Sequence, residues 1–379
     1  MKFTVQSYLM SSTTKMLQRV INPKNPLPVL SNFLCKVVQH DHLYFLHISA
    51  YDGEVYLQRI VSLNEADGEQ TFCVEANYLT AAMQELPFEE NITFDVDKEQ
   101  NKLTLKYESG ETFFPLSDEL EYPTIPDEEM PETLNLDKGM LTRALKRSIW
   151  TAANDDLRPQ MNGVYIELED GCANIVASNG HTLALTHQPL ANYDANRIGS
   201  FIMPRKPATL LLAMVPLTDG DNDVFMDWND KKAKIEIGGY TMILCQPEAK
   251  YPNYRSVIRS SSPHTAKADV ETMTKAVKKV VPFSNSSSQL IELHFSQGSL
   301  NITADDFDFS RGSSDKIAIE YDDVDMTIGM KGDSILNLLS KLNNAQVTME
   351  FMEPNQSMLF KDQDGTAEVT MLAMPMIIN

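Results

Sequence analysis

The chain has 379 residues, more than one hydrophobic core usually supports, so several domains are expected. Its net charge of −21 excludes a uniformly basic nucleic-acid binder and leaves only locally basic surfaces. No apolar run reaches the roughly 20 residues that cross a bilayer, and Met1-Lys2-Phe3-Thr4 alternates like a strand and not like a signal peptide, so a cytoplasmic protein without membrane association is expected.

In chain order, Ser7 to Ile21 reads as a helix, and Ala50-Tyr51-Asp52-Gly53 as a corner between two strands. Phe72 to Pro87 passes from a strand into a helix whose Ala76, Leu79, Met83 and Leu86 share one face. Alternating strands Ile92 to Val96 and Leu103 to Tyr107 follow, and then Tyr122-Pro123. The same order recurs with the helix Lys138 to Asn154, the corner Ala177-Ser178-Asn179-Gly180 and the strand-to-helix segment Phe201 to Pro216, which carries Leu210, Leu211 and Met214 and leads to Tyr251-Pro252. It recurs again with Lys267 to Val280, Ala304-Asp305-Asp306-Phe307, and Ile328 to Asn343 bearing Ile335, Leu338, Leu339 and Leu342, before Met374-Pro375.

Successive corners are 127 residues apart, so the chain reads as one α+β domain written three times, with boundaries at 1–128, 129–257 and 258–379. The order in each copy is helix, strands, helix, strands. The cysteines Cys35, Cys73, Cys172 and Cys245 stand singly in strand-like contexts and read as buried thiols, not as a zinc or redox site.

Charge is distributed unevenly through the repeat. The first helices carry net charges of +2, +4 and +2; with the second helices, Glu75 to Leu86, Arg205 to Met214 and Lys331 to Leu342, the six total +9 and the remainder −30. Lys15, Arg143 and Lys275 occupy matching places, as do Arg19, Arg147 and Lys279, and each pair is four residues apart on one helix face. A solvated face accounts for one such helix; three in register point to a lining that faces phosphate. Screening confines exposed charges to about 10 Å at 0.1 M salt, so a distant acidic exterior does not cancel it. Contacts of this kind carry no sequence information and are salt-sensitive.

Signatures of catalysis are missing: there is no GxxxxGK[ST] loop, GxSxG elbow or HExxH helix. His40-Asp41-His42 with His47 reads as a polar corner, because His47 falls on the opposite strand face, and Asp219-Gly220-Asp221-Asn222-Asp223 lacks the later glutamate of a calcium loop. No metal and no cofactor are expected. A hydrolase using His181 with Asp155 or Asp156, and a three-domain scaffold that never touches DNA, are the competing readings.

Six local segments carry a family resemblance: Pro26-Leu27-Pro28-Val29-Leu30-Ser31-Asn32; Ala153-Asn154-Asp155-Asp156 with Met161-Asn162-Gly163; Asn179-Gly180-His181; Met203-Pro204-Arg205-Lys206; Tyr251-Pro252-Asn253-Tyr254-Arg255; and Met374-Pro375-Met376. With the triple repeat, the chain resembles the bacterial DNA sliding clamps, the beta subunits of the replicative DNA polymerase III holoenzyme. That resemblance implies domains that each pack two helices on antiparallel sheets, and a non-catalytic processivity factor, two copies of which join head to tail in a six-domain ring around duplex DNA. It implies as partners the replicative polymerase, a clamp-loader ATPase, and other polymerases and repair proteins that carry clamp-binding peptides.

The resemblance places a partner-peptide groove at Met161, Ser178, Gly180, His181, Thr182, Leu183, Pro252, Val257, Leu372, Met374, Pro375 and Met376. Unbranched methionines at the chain's end suit an adaptable apolar site. Thr182 and Ser256 stand where many members have arginine, which implies a less basic groove. For DNA contact, Lys24 occupies an early loop where the family places a basic residue, and Arg205 with Lys206 opens a second-domain helix. The remaining candidates are Lys15, Arg19, Arg143, Lys146, Arg147, Lys275, Lys278 and Lys279.

Overall fold

Period-two alternation of apolar residues builds most of the molecule. In Asn91–Asp97 the side chains of Ile92, Phe94 and Val96 are buried and their neighbours are not, the pattern of a strand with one face on a core. The computed structural model of the chain describes residues 1–125, 128–155, 157–191, 197–218, 220 and 223–378, with only the backbone of residue 307. Asp156, and with it part of one motif and of the hydrolase reading, lies outside the described residues, as do Asp219, Asp221, Asn222 and Asn379.

Six α-helices occur among the described residues: α1 Ser7–Leu17, α2 Ala76–Gln84, α3 Lys138–Ser148, α4 Arg205–Met214, α5 Val270–Val280 and α6 Gly332–Leu339. Their apolar faces are those the spacing predicts: Leu79 and Met83 of α2, Leu210, Leu211 and Met214 of α4, and Ile335, Leu338 and Leu339 of α6 are all buried. Several helices are shorter than expected. Lys267 lies in the strand His264–Asp269, because the Asp269 carboxylate accepts the Thr272 amide at 2.7 Å and caps α5 there. Arg19 follows α1, and Lys15 is the ninth residue of its helix whereas Arg143 and Lys275 are the sixth of theirs, so the first copy's basic pair sits about one turn later than the register implied.

The chain divides into two compact units that cut across the second repeat: Met1–Thr142 with Lys206–Gln246, and Arg143–Arg205 with Pro247–Asn379. Strand pairing explains the division. In the first unit Tyr240–Cys245 pairs antiparallel with Val55–Ser62, Met242 opposite Leu57, so that a single hydrogen-bonded order of 13 strands runs from Glu132–Leu136 to Glu65–Ala66. In the second, Thr182–Pro189 pairs with Ala367–Ala373, Leu183 opposite Leu372, within an eight-stranded sheet. A separate four-stranded sheet holds Leu290–Ser296, Ser299–Asp306, Arg311–Ala318 and Met326–Lys331.

The repeated corner has one geometry in its first two copies. Asp52 Oδ1 accepts the amides of Glu54 and Val55 at 2.9 and 2.7 Å, and Asn179 Oδ1 accepts those of His181 and Thr182 at 2.9 and 2.8 Å. In each the next residue is a glycine at positive φ, Gly53 at 104° and Gly180 at 89°, a conformation that other L-residues rarely adopt. The third copy departs: Asp306 is buried, and its Oδ2 accepts from Arg311 Nε and Nη2 at 3.1 and 2.9 Å.

Two of the six sequence segments meet in the second unit, through Ala153, Gly163, Pro204 and Arg205. Gly163 pairs with Pro204, and a Cβ there would lie 2.4 Å from the Met203 carbonyl oxygen. Arg205 donates from Nη2 to the carbonyl of Ala152 at 2.5 Å and, more weakly, to that of Ala153 at 3.5 Å. Gly163→Ala is therefore expected to push Gly163–Glu169 away from Gly199–Pro204 and to destabilise the protein by about 1–3 kcal/mol, read as a lower urea midpoint.

Candidate functional site

The predicted groove lies wholly within the second unit. Thr182–Pro189 and Ala367–Ala373 bring Leu183 and Leu372 face to face, and both join Val176, Tyr254 and Leu359 in a small buried apolar cluster. The corner above is tied down: Ser178 Oγ donates to the Thr182 carbonyl at 2.9 Å, and the Gly180 amide donates to Ser178 Oγ at 3.1 Å. The Met374 amide donates to the His181 carbonyl at 2.8 Å, which sets the chain's end beside the corner. The Met376 amide donates to the Gly329 carbonyl at 2.8 Å, where a side chain on Gly329 would meet the Met376 oxygen at 2.6 Å. Met374 and Ile377 remain exposed, as do Pro252 and Val257. Met161 is buried in the short turn Pro159–Met161, and its carbonyl accepts the Ala153 amide at 2.8 Å.

Hydrogen bonds of the backbone and of the Ser178 hydroxyl thus join Ser178, Gly180, His181, Thr182, Leu183, Leu372 and Met374, while Pro375 continues the chain to Met376. Tyr254 and Leu359 belong to the same cluster, although neither was assigned to the groove from sequence. The signal for Tyr254 was its place between Pro252 and Val257; Leu359 offered none, since its burial depends on strand pairing with Leu372. Arg158 was also missed: its Nη1 would stand 3.7 Å from a side chain at Gly180, and its Nε donates to Asp155 Oδ2 at 2.8 Å.

Electrostatics beneath the cluster limit its basic character. Arg255 bonds Glu167 and Glu169, with N to O distances of 2.7 and 2.5 Å, and the Tyr254 hydroxyl donates to Glu167 at 2.7 Å. Burial alone would raise the Glu167 carboxyl, but these donors hold it below its usual range. A hollow of about 460 Å³ lies beside this network, lined in part by Leu185, His187, Tyr254, Arg255 and Glu368, and it contains none of the twelve predicted groove residues. The described residues of the hydrolase reading, Asp155 and His181, are not paired either. Asp155 is engaged by Arg158, whose hydrogen bond, with that of the Leu157 amide, lowers its carboxyl, and no contact to the His181 ring is found among the described residues.

The basic candidates fall into two groups. Lys15, Arg19, Lys24, Lys146 and Lys278 are exposed and have no carboxylate partner among the described residues. The others are engaged. Lys206 Nζ donates to Asp52 Oδ2 at 2.5 Å and to the Val20 carbonyl at 2.8 Å; Lys275 pairs with Glu271 at 2.5 Å and Lys279 with Asp315 at 2.8 Å. Arg205 binds backbone carbonyls as described.

Arg147 corrects the expectation of a lining residue. Its side chain is 3% exposed, and its Nη2 lies 2.8 Å from Asp364 Oδ2, which also accepts from Arg143 Nε at 2.7 Å. An arginine enclosed in this way ties α3 to the hairpin that contains Asp364 and is not free to meet phosphate. The sequence register could not reveal this, because Asp364 is 221 residues from Arg143.

The fold defines the class: a three-domain clamp of mixed helix and sheet. Sequence models of the DNA polymerase III beta subunit match its N-terminal domain to residues 1–137, its central domain to 135–253 and its C-terminal domain to 255–377. The chain belongs to that family, the bacterial sliding clamps. It is similar to the beta sliding clamp of Pseudomonas putida, 27% identical over 380 residues that cover 99% of this chain and 100% of the relative. A crystal structure of the Pseudomonas aeruginosa clamp bound to griselimycin matches with a TM-score of 0.92 at 24% identity, covering 100% of both chains. The clamp of C. crescentus, with polyethylene glycol bound at a beta-motif tethering region, matches with a TM-score of 0.90 at 21% identity over 100% of both chains.

Burial alone would raise the Asp364 carboxyl, yet the two guanidiniums hold it below its ordinary value of 3.8. Its contribution is fully present above that value and fades as the pH falls through the lower folded one. Asp364→Asn is expected to cost about 2–3 kcal/mol at neutral pH, seen as faster hydrogen exchange in α3, with the gap from the parent closing as the pH falls below the ordinary carboxyl value and through the lowered one of the folded protein.

Proposed function

We propose that two copies of this chain join head to tail in a ring that encircles duplex DNA without sequence preference and tethers replication and repair proteins as a non-catalytic processivity factor. The observation that carries the proposal is strand pairing that continues from one repeat into the next, Tyr240–Cys245 onto Val55–Ser62 and Thr182–Pro189 onto Ala367–Ala373. Such pairing binds strands of neighbouring repeats to one another, and we assign the three domains to 1–128, 129–257 and 258–379. A strand edge is left open near each end of the repeat series: Arg311–Ala318 ends its sheet, and Gly110–Ser117 pairs with Gln70–Glu75 only through Ser117 and Leu116. Open edges invite pairing with another chain, which supports a head-to-tail homodimer.

Within that ring, Lys15, Arg19, Lys24, Lys146 and Lys278 supply the phosphate contacts, and the paired Arg143, Lys275 and Lys279 contribute less because a carboxylate already accompanies each. Lys206, Arg205 and Arg147 serve chiefly to hold the fold. Retention then comes from closure, and weak contacts permit sliding. A cytoplasmic location fits work beside polymerase and a clamp-loader ATPase, which would supply the nucleotide-driven opening for which this sequence has no loop.

The test is retention on circular DNA. The loaded protein is expected to stay on a nicked circle and to leave once the circle is linearised; equal retention on both would sink the topological proposal. Replacing Lys24, Lys146 and Lys278 by alanine should weaken equilibrium binding to duplex DNA and flatten its logarithmic salt dependence by about 0.9 for each phosphate no longer neutralised.

The groove takes an apolar peptide. Because Arg255 is matched by Glu167 and Glu169, and Thr182 and Ser256 are uncharged, acidic flanks should add little affinity. Fluorescence anisotropy with a polymerase tail peptide should therefore change little between low and moderate salt. Met374→Asp should weaken it by about tenfold or more, since an anchor side chain in an interface contributes over about 1.4 kcal/mol. Unchanged affinity in that variant would refute the groove assignment.

A further inference from the structure

A second concave surface lies on the first unit, which contains none of the predicted groove residues. Positions 8, 11, 12, 15 and 19 follow helical spacing along and just beyond α1, and together with Phe88 they border a hollow of about 360 Å³. That volume is within the range of small-ligand sites. Met16 and Leu217 give it an apolar border. At one side the rings of Tyr8 and Phe88 stack with centroids 5.2 Å apart, although Phe88 is 72% exposed. At the other stand Lys15 and Arg19, both exposed, and no carboxylate among the described residues lines the hollow.

Each half of this arrangement has an ordinary structural use. A lysine in the last turn of a helix favours the helix dipole, and two aromatic rings shield one another from water. Neither accounts for the combination, among the described residues, of an exposed aromatic pair, two cations without carboxylate partners and a concave border without acids in a chain of net charge −21. Base-stacking rings beside phosphate-binding cations are the chemistry of single-stranded nucleic-acid recognition. A duplex has its bases stacked internally and offers these rings nothing, whereas an unpaired nucleotide offers both a face and a phosphate.

We propose that this hollow seats an unpaired nucleotide of single-stranded DNA, its base against Tyr8 and Phe88 and its phosphate at Lys15 and Arg19. The proposal goes beyond duplex encirclement and rests on it only in placing these two cations near DNA. Such a seat would let the clamp recognise the strand beyond a primer end.

The experiment measures full-length protein binding to a fluorescent oligothymidylate of about ten nucleotides, a length within the span of known single-strand sites, and to an abasic strand of equal length and charge. The parent is expected to prefer the strand with bases by about tenfold. Phe88→Ala and Tyr8→Leu should remove that preference, and Phe88→Trp should keep it. Lys15→Ala with Arg19→Ala should weaken binding to both strands. Equal affinity for the two strands, or a preference that survives Phe88→Ala, would overturn the proposal, and so would displacement of the oligonucleotide by a phosphotyrosine peptide at lower concentration, which would assign the hollow to a protein partner. Phe88→Ala should leave retention on nicked circles intact, so a failure of the nucleotide seat is distinguishable from a failure of the clamp itself.

Discussion

Backbone pairing between strands of different repeats is the constraint on which the rest of the molecule depends. A domain of this kind ends in edges with unpaired amides and carbonyls, which are costly to bury and prone to uncontrolled association. Here Tyr240–Cys245 satisfies Val55–Ser62, and Ala367–Ala373 satisfies Thr182–Pro189, through five and six residue pairs respectively. The second repeat is consequently shared between two compact units, which is why a boundary drawn from sequence periodicity and one drawn from packing differ. Periodicity records how the chain was duplicated; packing records which strands each segment joins.

Ion pairs reinforce the same junctions. Lys206 reaches Asp52, the acid of the first corner, and Arg143 and Arg147 converge on Asp364 in the hairpin between Met358–Asp364 and Ala367–Ala373. Desolvating charges is expensive, so such pairs add less stability than their short distances imply; losing one member leaves the other buried and unmatched. Their effect is greater on geometry. A guanidinium shared between Asp364 and the Lys341 carbonyl, 3.3 Å from Nε, accepts few alternative placements of α3. Helices whose orientation is fixed in this way present their remaining cations at fixed positions.

The triplication, the helix order and the apolar faces were legible in the sequence because each rests on local spacing. Leu79 and Met83, or Ile335 and Leu338, are placed by a period of 3.6 whatever else surrounds them. The Asn179-Gly180 turn was legible for the same reason. What could not be read was the fate of individual charges. Arg143 and Lys146 look equivalent along α3, yet Asp364 stands beside one, while the other has no carboxylate partner among the described residues. Helix ends were also misplaced where a cap decided them, as at Asp269, and the cluster of Tyr254 with Leu359 arises only from long-range strand pairing. Family resemblance named the groove residues, and the structure shows which of them strand pairing brings together.

The pairing of cations with carboxylates also sharpens how an acidic protein can hold DNA. If every helix cation were free, six helices carrying about +9 would bind phosphate tightly and slow any motion along it. Lys206, Lys275, Lys279 and Arg143 each keep a carboxylate within a few ångströms, so the surface potential near them is much reduced. A small set of exposed cations remains, spread over three helices and a loop and not massed at one spot. Dispersed contacts of this strength steer a polyanion without fixing its register, and they are exchanged one at a time as it moves. A protein that binds DNA by affinity alone would gain from removing those carboxylates. One that holds it by closure gains from keeping them, because topology provides retention and weak contacts provide mobility.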